Sequence, residues 1–482
     1  MRPSPHAMAL TTRHSRIASL RSAGPSLVAG TTTMRRWSTW PRAAAGAASS
    51  ALAAAVFAFL DVLDVVLCLV YALVDSILEE SPVGCYCHTR SPPDDDDEVS
   101  DTLYARRSAV RDALLGLLRR LLLVVGKTKE TRQAPPEKPR WSDCGCKSCV
   151  AWRGSGGRLH VVAKEPDKPK EAAGTDSHET TATDNAAVFV HGFTSSSSFW
   201  AETVFRESSL LSSSSRLFAV DLLGFGQSPK PADCLYRLRD HVEAIDASLI
   251  ERQNLRSFHL VAHSMGCIVA LALAAKHPTR LKSITLLAPP YFLACEHEAS
   301  QVALSRLAEK KLWPPLLFGS AVMSWYEHVG RTVCFLVCKH HRLWEWLLTS
   351  RKRDVDFRVR DLTKHTHRSA WHTMHNVICG GARLQDRHLE AVQAAGVPVM
   401  LVHGLDDAVV PVECTSRHLK AKLPRAELRL MPGCDHATVL LGHREGDSTV
   451  VIDVSVPTSF AFFMSGKPPV SVHCLTNYLH SR

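Results

Sequence analysis

Two hydrophobic patterns alternate through the middle of the chain. Short, largely apolar, β-favouring runs occur at 186–190, 217–220, 258–262, 281–287, 397–402 and 428–431. Continuous apolar runs of that length suit strands covered on both faces, as in a parallel sheet. Between them the period lengthens. Residues 241–250 read as an amphipathic helix, and an Ala/Leu/Val run follows residue 266. This alternation stops at Tyr291, and about a hundred residues of helical periodicity, rich in Trp and His, run to Gln393 before strands resume. The pattern predicts an α/β fold, with a mostly parallel sheet flanked by helices. It places a helical cap as an insertion between strands six and seven. The expected organisation is a targeting or membrane-associated region at 1–80 and a Cys-containing helical and linker region at 81–185. A core at 186–290 and 394–443 then surrounds a cap at 291–393, and a tail runs over 444–482.

The stretch on which the rest depends is 258–271. An apolar strand leads into His263-Ser264-Met265-Gly266, and a helix leaves it. A serine at the tip of a sharp strand-to-helix turn is a nucleophile elbow, and it predicts an α/β-hydrolase fold. Small residues two before and two after the serine let strand and helix approach. Here they are Ala262 and Gly266, alanine standing where glycine is usual. His191-Gly192-Phe193 after the first core strand reads as an oxyanion loop, with the Phe193 and Met265 amides as donors. Asp221, in an Asp-x-x-Gly-x-Gly-x-Ser turn, reads as structural. His403-Gly404-Leu405-Asp406-Asp407 is the acid loop, with Asp407 favoured over Asp406 because it lies four residues before Pro411. Gly433-Cys434-Asp435-His436 supplies the imidazole. The order Ser264, Asp407, His436 fits this fold and not other serine-hydrolase folds. Each motif is weak alone; together, in order after strands, they are specific. A serine at the elbow disfavours epoxide hydrolase or dehalogenase chemistry, which uses aspartate there.

The N-terminal third is of another kind. Residues 1–60 lack Asp and Glu and carry seven arginines, resembling a transit peptide. Met34-Arg35-Arg36-Trp37 before an uncharged run at 43–60 suits instead a secretory signal. Asp61 and Asp64 interrupt that run as it nears the ~20 residues a membrane span needs. A signal sequence, or a helix at a membrane interface, is favoured over a clean span, and an amphipathic helix packed on the catalytic domain is the bland alternative. Residues 94–98 are an acidic linker, 106–125 an amphipathic helix, and 164–185 a flexible loop. The cysteine segments Cys85-Tyr86-Cys87 and Cys144-Gly145-Cys146-Lys147-Ser148-Cys149 invite a zinc reading. Neither carries the usual paired C-x-x-C knuckles, so disulfides or lipid acylation are at least as well supported.

Fifteen cysteines is a high count, but a chain of 482 residues is too large to be a disulfide scaffold. The net charge of +10 is spread along the chain without aromatic-interleaved basic patches, so nucleic-acid binding is not expected. Trp313, Trp325, Tyr326, Trp344, Trp346 and Trp371 in the cap suit a lipid-sized cavity or cap core equally. His365, His367, His372 and His375 lack a carboxylate at metal-binding spacing and read as a hydrogen-bonded cap network. No metal and no cofactor are expected.

Several long stretches resemble the plant BODYGUARD family of probable lysophospholipases: 220–231, 261–268, 286–291, Trp325-Tyr326-Glu327-His328, 365–376 and Pro411-Val412-Glu413-Cys414. Ala262 is itself family-like. The resemblance implies an acyl-lipid hydrolase with a role in forming the cuticle, the cutin and wax layer. It also implies a place on the secretory route at the cell membrane or wall, with the plastid as the alternative that the transit-like composition leaves. The expected partners are an acyl lipid and a membrane or wall surface; the oligomeric state stays open. Two features depart from the family: an over-long start before Met34, and a tail after Arg444 without the charged terminal helix, which reads as a divergent or mis-spliced end. Acyl transfer on the same residues, as in a cutin polyester synthase, is the alternative chemistry. The acyltransferase pattern His-x-x-x-x-Asp is not met at His436, because Leu441 stands at its last position. A non-catalytic hydrolase-fold receptor is the alternative outside enzymes.

Overall fold

The computed structural model describes residues 40–79, 98–103, 113, 116, 140–153, 157–166, 186–207, 215–308, 324–351, 357–441, 451–452 and 462–463, with side chains from residue 55 onward except at 153, 207, 308, 351, 441, 451–452 and 462–463. The chain divides into two units, 1–57 and 58–482. Of the first, a helical backbone from Trp40 is described. The second holds the sheet and everything discussed below. The Cys85 and Cys87 segment, nearly all of the expected helix at 106–125 and most of the 444–482 tail lie outside the described residues.

Seven strands form one sheet in the order β1-β3-β2-β4-β5-β6-β7. They are β1 (Val161–Lys164), β2 (Ala186–Val190), β3 (Arg216–Val220), β4 (Phe258–His263), β5 (Leu281–Leu287), β6 (Val399–Gly404) and β7 (Glu427–Met431). Only β1 runs antiparallel, against β3; β3, β2, β4, β5, β6 and β7 are paired parallel. Every residue of β2, β4 and β6 is buried, as expected of a sheet with both faces covered. The expected core strands are all present, with ends shifted by a residue or two.

The helical insertion falls between β5 and β6, the fifth and sixth strands of this sheet. The expectation numbered them six and seven; among the described residues one strand fewer precedes the insertion. The segment includes helices Ala299–Ala308, Glu327–Leu336, His341–Arg351, His367–Thr373 and Gly380–Ala394. Its last helix belongs to the body of the domain. A Cβ built on Gly381 would stand 2.7 Å from Ile268 Cγ2 on the helix after the elbow. Ala382, Leu389 and Val392 share that helix's hydrophobic cluster. The elbow helix itself, Gly266–Lys276, is apolar all round and buried from Gly266 to Ala274, as a helix without a polar face must be. Burying each of Ile268, Leu271 and Leu273 is worth roughly 1.5–3 kcal/mol.

The helix Trp40–Leu78 packs on the cap through the part that lies in the second unit, residues 58–78. Its stretch Ala55–Leu78 is long and apolar enough to cross a membrane. Nevertheless Asp61, Asp64 and Asp75 are buried in the folded unit. Asp75 receives two hydrogen bonds from Arg331, at 2.7 and 2.8 Å, and one from the Trp141 indole at 2.6 Å. Asp64 accepts the backbone amides of His328 and Val329. Asp64, one of the charges that break the hydrophobic run, and Asp75 are thus where the helix attaches to the cap. Its opposite side, Phe59, Val62, Val66, Leu69, Leu73 and Ile77, recurs at helical spacing and is exposed.

Candidate active site

β4 ends at His263, and the next residue takes a conformation that L side chains avoid. Ser264 has φ of +53°, a strained turn that points its side chain away from the sheet. The Ser264 amide is tied to the Leu287 carbonyl at 2.9 Å, which fixes the turn to β5. Gly266 then meets the end of β2 so closely that an added Cβ would lie 2.5 Å from the His191 carbonyl oxygen. Glycine is required there. Ala262 needs no such exemption: it is wholly buried in the sheet between Val190 of β2 and Leu286 of β5.

His436 lies on the loop after β7. Its Nε2 accepts from Ser264 Oγ at 2.9 Å, and its Nδ1 donates to Asp407 Oδ2 at 2.7 Å. Asp407 fixes the ring with its proton on Nδ1 and its Nε2 lone pair toward the serine. The other oxygen of Asp407 accepts the amides of Val409 and Val410 at 2.8 and 2.7 Å. Burial would raise this carboxyl, but hydrogen bonds from His403 and His436 and the Val410 amide outweigh it and hold the group well below the ordinary carboxylate range. The neighbouring Asp406 is exposed and outside this line. The sequence-predicted serine, acid and imidazole therefore form one continuous chain of hydrogen bonds.

Two histidines that sequence reasoning left without a role hold this chain in place. His403 Nε2 faces two acceptors, Val410 O at 2.7 Å and Asp407 Oδ2 at 3.2 Å, so it carries the proton. Its Nδ1 is met by Ser416 Oγ at 2.6 Å. His263, directly before the serine, donates from Nε2 to the His436 carbonyl at 2.9 Å and stacks on Phe199. Burial, then the neighbouring His436, push its pKa down to about 3, so it stays neutral. Their sequence signals were local: a histidine adjoining the nucleophile, and one four residues before the acid.

The loop predicted to face the oxyanion passes beside the serine. A Cβ on Gly192 would stand 3.1 Å from Ser264 Cβ. His191 supports the loop from beneath: it accepts the Leu222 amide at Nε2 and donates from Nδ1 to the Gly192 carbonyl, at 2.9 and 2.7 Å. Among the described residues neither the Phe193 nor the Met265 amide has a hydrogen-bond acceptor. Asp221 is buried at the neighbouring turn, taking the amides of Ser197 and Gln227 and a bond from His160. A Cβ on Gly226 would collide with its carboxylate. Burial opposes ionisation of Asp221, but the His160 contact and the amides bring its pKa to about 2.

The cap histidines do not form the expected connected network. His375 bonds Thr102, and through it Ser100. Neither ring nitrogen of His367 has a partner among the described residues, and His367 packs against the Trp371 ring. Burial keeps His367, His372 and His375 neutral. His365 instead approaches the thiols of Cys334 and Cys338.

A family profile for the α/β hydrolase fold matches residues 186–442, which include every residue of the hydrogen-bonded chain. Probable lysophospholipase BODYGUARD 4 of Arabidopsis thaliana is 46% identical over 415 residues, covering 84% of this chain and 96% of that protein. Probable lysophospholipase BODYGUARD 1 of the same plant is 38% identical over 454 residues, covering 81% and 92%. A carboxylesterase structure from Nitrososphaera gargenis, 17% identical, superposes with a TM-score of 0.38 over 58% of this chain and 88% of that one. With the elbow, the parallel sheet and the near-complete overlap with these plant relatives together, the chain belongs to the BODYGUARD family of α/β-hydrolases.

Proposed function

We propose that the protein is a serine esterase that cleaves acyl esters of lipids, in the manner of a lysophospholipase. The observation that carries this reading is the unbroken line Ser264 Oγ, His436 Nε2, His436 Nδ1, Asp407 Oδ2, with the serine raised on its strained turn. In the mechanism, His436 takes the Ser264 proton as Oγ attacks the ester carbonyl. Asp407 keeps the imidazole oriented and stabilises its charged form. The Phe193 and Met265 amides donate to the oxyanion. His436 then protonates the departing alcohol, and water, activated by the same imidazole, releases the fatty acid from the acyl-serine. His263 and His403 act through His436 and Asp407, as positioning residues.

The lipid substrate is supported by the names of the relatives and by the exposed apolar side of the Ala55–Leu78 helix. An ester-bearing lysolipid would be drawn from a membrane on which that side rests. Placement on the secretory route at the cell membrane or wall, and a part in building the cuticle, belong to the same reading and rest on the family resemblance. The test is a panel of lysophospholipids and monoacylglycerols offered to the full chain, with and without an acceptor alcohol. Free fatty acid should accumulate and depend on Ser264. Acyl product found only on the acceptor would make the protein a transferase.

A further inference from the structure

Cys144, Cys146 and Cys149 lie on a short segment far from the active-site chain, and the fold brings His341 to them. The four donor atoms all lie within 4.8 Å of one another. His341 Nε2 is 3.5 Å from Cys146 Sγ and 3.6 Å from Cys149 Sγ. A tetrahedral zinc ion, with Zn–S of about 2.3 Å and Zn–N of about 2.0–2.1 Å, sets its sulfur and nitrogen ligands about 3.6 Å apart. The two distances are therefore those of ligands already spaced around one ion.

A second observation concerns the ring itself. His341 Nδ1 donates to Glu345 Oε1 at 3.2 Å, one turn along the same helix. A carboxylate on the far nitrogen is how metal-binding histidines are oriented, because it turns the Nε2 lone pair toward the metal. His341 is buried, whereas the three cysteines are partly exposed, which leaves an entry path. The segment is also held before any ion arrives. Just ahead of Cys144, the Trp141 indole bonds Asp75, the Trp141 carbonyl accepts from Lys339 at 2.7 Å, and Arg331 reaches Ser142. The Cys146 amide points at Cys144 Sγ, a donor suited to a thiolate.

We propose that Cys144, Cys146, Cys149 and His341 bind one structural zinc ion that clasps the 140–153 segment to the cap helix His341–Arg351. Four protein ligands close the coordination sphere, so the ion takes no part in ester chemistry. Binding releases the thiol protons to solvent and forms three Zn–S bonds and one Zn–N bond, with no change of oxidation state. Sequence spacing disfavoured zinc because neither cysteine segment carries the usual paired C-x-x-C knuckles. The fourth ligand is a histidine almost two hundred residues downstream.

The test is the zinc content of the full-length protein purified without chelator, compared with Cys146→Ser/Cys149→Ser. Cys334, Cys338 and His365 form a neighbouring trio, and the double variant leaves it intact. The expected result is one zinc equivalent per chain lost in the variant, with lysolipid hydrolysis retained. Equal zinc in both proteins, or none in either, would overturn the proposal. So would a disulfide among Cys144, Cys146 and Cys149 in the native, unreduced protein. Should the variant fail to fold, cobalt(II) exchanged into the wild type decides. Thiolate-to-cobalt charge-transfer bands and intense tetrahedral d–d bands are expected, and their absence would contradict the site. The zinc and cobalt readouts are independent of whether Ser264 proves to be a nucleophile.

Discussion

Asp407 gathers four hydrogen bonds on two oxygens: His436 and His403 on one, the Val409 and Val410 amides on the other. Asp407→Asn keeps the shape but offers an N–H where His436 needs an acceptor. Turnover should fall by about 10⁴-fold, the size seen when a triad imidazole loses its orienting acid. Single-turnover acylation measures this, and a change under tenfold would speak against Asp407 as the orienting acid. His263→Phe should keep the stacking on Phe199 and lose the bond to the His436 carbonyl. We expect kcat to fall about 10- to 100-fold with KM nearly unchanged. Because His263 has its pKa near 3, the pH limbs between 5 and 9 should stay where they are in the wild type. Asp221 acts on stability. Its folded pKa of about 2 lies below the ordinary value of 3.8, so its charged form stabilises the fold above about pH 4 and that contribution is lost as pH falls through about 2. The difference is worth about 2 kcal/mol. Unfolding of Asp221→Asn should show a gap of that order at pH 7 that narrows toward pH 2; a gap constant with pH would refute the assignment.

At the level of elements, the close approaches fall where strands end. Gly266→Ala would drive a methyl group into the His191 and Val190 carbonyls, at 2.5 and 2.8 Å. A loss of about 1–3 kcal/mol is expected, read as a lowered midpoint of thermal unfolding, together with slower acylation as the Gly192 loop shifts. The core strands and the order of serine, acid and imidazole were legible in the sequence because each is a local pattern: a continuous apolar run, a turn residue, a short spacing. Asp407 was separable from Asp406 by its distance to Pro411, and only Asp407 is buried. What sequence could not give is pairing across the fold. His341 lies 195 residues from Cys146, and Arg331 lies 256 from Asp75. No periodicity connects such partners. The cap histidines misled for the opposite reason. Polar residues close in sequence suggested mutual bonds, yet the helix His367–Thr373 and the π-helix Met374–Cys379 bury their rings beside aromatic neighbours, including Tyr236 and Trp371.

Across the whole molecule, the N-terminal helix, the cysteine segment and the cap meet at the Asp75–Arg331 pair. Both side chains are buried, and the Arg331 guanidinium lies 4.4 Å from the Tyr71 ring centre. Arg331→Ala would leave Asp75 buried without its cation, at a cost of about 3–5 kcal/mol. Denaturant unfolding should show this, with limited proteolysis cutting near Leu78; an unchanged midpoint would mean that the helix is not part of the folded unit. The outward side of that helix makes a separate prediction. Val66→Asp/Leu73→Asp, at exposed positions, should abolish flotation with anionic liposomes while leaving hydrolysis of a short soluble ester intact. Every catalytic reading of the site rests on Ser264 attacking acyl carbonyls in the intact chain. Treating the full-length protein with a fluorophosphonate and mapping the adduct by mass spectrometry tests it most directly. Stoichiometric labelling on Ser264 is expected, absent in an equally folded Ser264→Ala protein. A folded wild type that stays unlabelled, or is labelled elsewhere, would contradict it.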